Sequence, residues 1–152
     1  MTISQLSTLD AHLDSTGAPR LTSGGARVAR RIGAVFAGLA INVVGATAVD
    51  GVMHATGVFP APGLAMAGWL FGVALAYRLV FGVAGSYVTA RLAPDRPMRH
   101  ALVLGAIGAA IGTVGMIAMW GAGPVWYPLA LIASALPCGW AGARLHARAV
   151  AR

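Results

Sequence analysis

The chain has 152 residues, 58% hydrophobic and 10% charged, with a mean hydropathy of +0.76. Soluble domains carry about 25% charged and 45–50% apolar residues, so the composition excludes an ordinary water-solvated domain and makes lipid the solvent for much of the surface. The net charge of +7 comes from eleven arginines and no lysine, set against four aspartates and no glutamate.

A basic nucleic-acid binder needs a wet face rich in Lys and Arg. Here the arginines lie between apolar runs of membrane length, so the charge reads as a topology signal and nucleic acid is not an expected partner.

In chain order, residues 1–31 form a polar arm rich in Ser, Thr and Gly. Ile3, Leu6, Leu9 and Leu13 would share one face of a short helix, but the neighbouring Asp10 and Asp14 have the wrong sign for an anionic lipid surface. The expected state is a mostly disordered cytoplasmic arm. Arg30-Arg31, the apolar run after them and "ATA" at 46–48 outline a signal peptide. The charged region is too long, however, and the run exceeds the roughly 7–15 residues of a signal core, so it is read as a retained first helix.

Four apolar runs follow: Ile32 to Val49, Leu64 to Ala90 (interrupted only by Arg78), Ala101 to Trp120 and Tyr127 to Ala143. Each approaches the ~20 residues that cross ~30 Å of hydrocarbon at 1.5 Å per residue. None alternates with period two as an outer-membrane strand does, and lipid obliges the backbone to bond internally. The expectation is therefore an all-α, membrane-embedded four-helix bundle over residues 32–146. Its helices are placed near 32–54, 64–91, 100–120 and 127–144, with a cytoplasmic tail at 147–152.

Arginine placement orients the bundle. The arm, the stretch "RLAPDRPMRH" at 91–100 and the C-terminal end from Arg144 onward together hold ten of the eleven arginines. The opposite connections, "DGVMHATGVFPAPG" and "GAGPVWYP", hold none. Positive residues resist translocation, so Arg91, Asp95, Arg96, Arg99 and His100 belong to a cytoplasmic hairpin and both termini are cytoplasmic. Two prolines stop the second helix there and restrain the turn. Trp120, Trp126 and Tyr127 form part of an aromatic belt on the far side.

Glycines predict where helices touch. Gly105, Gly108, Gly112 and Gly115 share one face of the third helix, Gly68 and Gly72 open the second, with Gly82 and Gly85 later in it, and Gly38 and Gly45 lie in the first. Small residues permit the close backbone approach that drives association in lipid. The third-helix face is expected to touch another helix along its whole length, as bundle packing in the first reading and a homodimer seam in the second.

Arg78 is the arginine that topology does not explain. It lies thirteen residues before Arg91, ~20 Å along a helix, within the apolar layer. Charges at such depth usually face a partner or a water-filled cavity. Asp50, near the end of the first helix, leans toward it, and Asn42 falls level with it if the first hairpin folds about residue 60. An Asp50–Arg78 pair and an Arg78 that snorkels alone are the structural readings; a solute or proton pathway is the functional one. Cys138, beside Pro137, reads as a packing site, since one cysteine excludes an internal disulfide. His12, His54, His100 and His146 show no ligand spacing, so neither metal nor cofactor is expected. No phosphate loop, nucleophile elbow or HExxH motif occurs, and no enzymatic activity is expected.

"GSYVTARLAPDRPMRHALVLGAIG" and "GPVWYPLALIASALPCGW" resemble a family of small bacterial membrane proteins with four predicted spans and no assigned activity. The resemblance covers roughly Arg78 to Gly142, and Ser86 stands where the family would have a second glycine before the tyrosine. It implies the bacterial inner membrane and nothing catalytic. The expected function is a non-enzymatic accessory, assembly or interaction subunit whose partners are the bilayer and another membrane protein or a second copy. The alternative is an oligomeric small-solute permease or channel lined by Arg78, Asp50 and Asn42.

Overall fold

Alanine is the commonest residue of the chain and has the strongest helix propensity. The computed structural model describes residues 23–61, 64–121 and 123–152. Among them it has four helices and no strand: α1 (Ser23–Ala55), α2 (Gly68–Leu92), α3 (Pro97–Ala118) and α4 (Trp126–Val150). The amphipathic face of Ile3, Leu6, Leu9 and Leu13 lies outside the described residues.

Helix limits differ from expectation in ways the local residues explain. α1 begins at residue 23 rather than 32, so the end of the expected arm is helical, because Ala26, Arg27, Ala29, Arg30 and Arg31 favour helix. α2 begins at 68 rather than 64. Gly57 adopts a left-handed φ of 75°, and Phe59 folds back, its N–H donating to the Met53 carbonyl at 2.9 Å. α3 starts at Pro97, which needs no N–H partner in a first turn. α4 runs through the Ala- and Arg-rich "HARAV" to residue 150, leaving only Ala151 and Arg152 of the expected tail.

α1, α2 and α3 are long and apolar enough to cross a membrane. α4 matches α2 in length, but Trp126, Tyr127, Pro128, Pro137 and Trp140 reduce its hydropathy. α2 and α4 form the central pair. α3 packs mainly on α4 and α1 mainly on α2; the α1 backbone approaches α3 lightly and, among the described residues, does not approach that of α4. One side of the bundle, between α1 and α3, is therefore loosely closed.

Packing is inverted relative to a soluble domain. Among the described residues, six of the nine buried hydrophobic ones are alanines: Ala34, Ala46, Ala74, Ala90, Ala101 and Ala143. Phe36, Val44, Trp69, Val80, Ile117 and Trp140 are exposed. Soluble proteins place such large side chains inside. Here the small residues face inward so that backbones can meet. A β-carbon on Gly105 would lie 2.8 Å from the Ala135 carbonyl oxygen, one on Gly139 2.8 Å from that of Ala101, and one on Gly142 2.6 Å from that of Val83. Gly38 and Gly85 abut backbone to backbone. The buried Thr89 hydroxyl, without a hydrogen-bond partner, occupies the space a Gly38 side chain would take.

The third-helix glycine face does not touch another helix along its whole length. Contact is tight at Gly105; at Gly108 and Gly112 the nearest atoms are side-chain carbons of α4, 3.9 and 3.2 Å from a β-carbon, and Gly115 has no neighbour within 4 Å. α3 and α4 diverge along that face, and the glycines line the space between them. Gly68 and Gly72 also meet nothing within 4 Å, so they make no close helix contact within one copy.

Candidate functional site

Asp50 sits near the C-terminal end of α1, Tyr77 and Arg78 are successive residues of α2, and Tyr127 opens α4. The Arg78 guanidinium donates through Nη2 to Asp50 Oδ2, and the Tyr77 hydroxyl donates to Asp50 Oδ1. Arg78 Nη1 donates to the Tyr127 hydroxyl at 3.0 Å. Phe71 backs Tyr127 edge-on with centroids 5.3 Å apart, and the guanidinium carbon lies 5.7 Å from the Tyr77 ring centroid. Three helices are thus joined through one carboxylate and one guanidinium. The cluster carries no net charge, and its Arg78 Nε is buried without a partner. Phe59, Leu70 and Ala74 close this end of the bundle, with Met53, Met66, Tyr77 and Tyr127 packed against them.

Arg78 divides two cavities. One of about 340 Å³ runs toward the α3–α4 connection, lined chiefly by Phe71, Met116, Trp120, Tyr127 and Leu131. The other, about 260 Å³, lies among all four helices, where Asn42, Thr47, Asp50, Arg78, Ser86 and Ser134 supply its polar lining. Gly105, Gly108 and Gly112 also line the second, and Gly112 and Gly115 the first.

Asn42 is not level with Arg78. Its amide nitrogen approaches Gly82 and its β-carbon Gly85, so it meets α2 one to two turns further along. The first hairpin folds later than residue 60 because α2 starts later. Asn42 and Arg78 still line the same cavity.

At the opposite end, Arg31 of α1 grips Asp95 through Nε at 3.1 Å and Nη2 at 2.5 Å. These hydrogen bonds hold the Asp95 carboxyl below its ordinary range despite its exposure. Arg96 takes a left-handed φ of 43°, which turns the chain into Pro97. His100 lies with Nδ1 3.3 Å from the Arg96 carbonyl. Arg91, Arg96 and Arg99 are exposed, and among the described residues none makes a salt bridge. Cys138 is free, its thiol 3.8 Å from the Leu79 carbonyl. No group of His, Cys, Asp or Glu among the described residues could hold a metal ion.

The sequence reading identified Asp50, Arg78 and Asn42 but not Tyr77 or Tyr127 as their partners. Tyr77 could have been found from its place beside Arg78, whereas Tyr127 looked like a belt residue and became a site residue only once α4 was packed on α2. The Arg31–Asp95 tie joins residues sixty-four apart, and no local pattern announces it.

No family model matches the chain, and no curated protein or solved structure matches it either.

Proposed function

We propose that the protein is a four-span integral protein of the bacterial inner membrane, with both termini cytoplasmic, acting as a non-enzymatic accessory, assembly or interaction subunit. The carrying observation is the inverted packing: small residues meet inside while large apolar side chains cover the outside, the arrangement suited to lipid and to other membrane helices. α4 is the fourth span because it packs on both α2 and α3, and a layer that holds those two holds it as well.

The two ion pairs support this placement. Nineteen residues separate Arg31 from Asp50 on α1, ~29 Å of helix, close to the ~30 Å hydrocarbon thickness. Arg31–Asp95 would mark the cytoplasmic edge and Asp50–Arg78 the periplasmic one. The polar groups at the second edge tie α1, α2 and α4 together, which supports a structural role for them.

Purification of a tagged copy in mild detergent tests the reading. A second membrane protein held at fixed stoichiometry through successive steps is expected. A lone symmetric oligomer would overturn the accessory role in favour of the small-solute permease or channel. The cavity that Asn42, Asp50 and Arg78 share is the observation favouring that second reading.

A further inference from the structure

The 260 Å³ cavity among the four helices is lined by the paired Asp50 and Arg78 and by three groups to which the protein gives no side-chain hydrogen bond. Ser86 is only 2% exposed; the half-buried Asn42 and the exposed Thr47 reach the same space from α1, and the cavity is partly open to the outside. No side-chain hydrogen bond joins any of these three to the protein among the described residues. Arg78, which lines the cavity too, has its buried Nε–H unmet. Buried polar groups are almost always hydrogen-bonded, and polar cavities fill whereas apolar ones stay dry. The volume gives room for about eight waters at ~30 Å³ each.

The lining also selects its guest. Asp50 and Arg78 cancel, so nothing favours either sign of ion, and moving an ion out of water is costly. The Asn42 amide and the two hydroxyls offer donors and acceptors together. We propose that this cavity is an intramembrane binding site for a small neutral hydrogen-bonding guest: water, or a polyol or amide of glycerol or urea size. The inference deepens the second reading above by naming its guest, but it concerns occupancy of the site and not passage through it.

Cys138 lines the same cavity and is the chain's single cysteine, so the unaltered protein contains its own reporter. Thiol modification requires thiolate and therefore water. In folded protein in micelles, the neutral reagent 2-hydroxyethyl methanethiosulfonate should modify Cys138 within minutes. Asn42→Leu, which fills the cavity and removes its amide, should slow the reaction about ten-fold or more by excluding that water. Slowing by molar glycerol or urea identifies a polyol or amide guest; an unchanged rate identifies water.

A Cys138 that reacts only after unfolding in dodecyl sulfate would show the cavity to be dry and overturn the proposal. So would an undiminished rate in folded Asn42→Leu. The wild-type rate is decisive alone, so a variant that misfolds leaves the test intact. Stoichiometric partner capture bears on the accessory role, solute flux in proteoliposomes on transport, and neither substitutes for this rate.

Discussion

Asp50→Ala should destabilise the protein more than loss of any other polar side chain, by about 3 kcal/mol, and Arg78→Ala should cost less. The asymmetry follows from what each variant leaves behind. Without Asp50, the guanidinium keeps only Tyr127 at Nη1, while its Nε is already unmet. A cation stripped of its counter-charge inside an apolar layer is the costlier orphan. Without Arg78, the carboxylate keeps the Tyr77 hydroxyl.

The double variant Asp50→Ala/Arg78→Ala removes both charges and should recover part of the loss. Contacting residues couple by about 0.5–3 kcal/mol. Denaturant titration of the four forms in one detergent measures that coupling. Strictly additive losses would show that the ion pair contributes nothing to the fold.

Gly85→Leu should separate α1 from α2, and Gly142→Leu should separate α4 from α2. The new side chain at Gly85 would fall on the Gly38 backbone, and the one at Gly142 on Val83 O and Tyr87 N, each 2.6 Å from its β-carbon. Backbone cannot rotate aside as a side chain does, so each helix must move away. The loss should reach the top of the roughly 1–3 kcal/mol range for overpacking or exceed it. Gly72→Leu and Gly115→Leu are the matched controls: neither glycine has a neighbour within 4 Å, and both variants should stay within about 0.5 kcal/mol of wild type. Thermal unfolding in micelles, read with the oligomeric state, separates the outcomes. A Gly72→Leu as damaging as Gly85→Leu would place that face in a contact with a second chain.

These glycines mark how far the sequence alone can be read. Four apolar runs of the right length were enough to give four helices, because each run marks itself locally. The 105/108/112/115 spacing correctly placed the residues on one face of α3 but could not reveal what that face meets. Helix divergence is a property of two chains of backbone together, and here it turns most of the face into cavity wall.

The α1–α2 register was misplaced for a similar reason. Proline and glycine in the connection advertised a turn, but not that Phe59 would fold back and α2 would start at residue 68. Arg78 and Asp50 were legible as partners because each is conspicuous in an apolar run and their side chains lean toward one another. Tyr77 and Tyr127 were not: Tyr77 lies mid-helix with only its neighbour Arg78 to mark it, and Tyr127, near a helix end, has an interfacial explanation that needs no partner.

Membrane placement with both chain ends on the arginine-rich side is the claim on which the rest depends, and reporter fusions test it most directly. Fusions after Arg99 and at the C-terminus should both report cytoplasm, and one near Pro62 should report periplasm. A periplasmic signal from the C-terminal fusion would mean an odd number of crossings and contradict the four-span account.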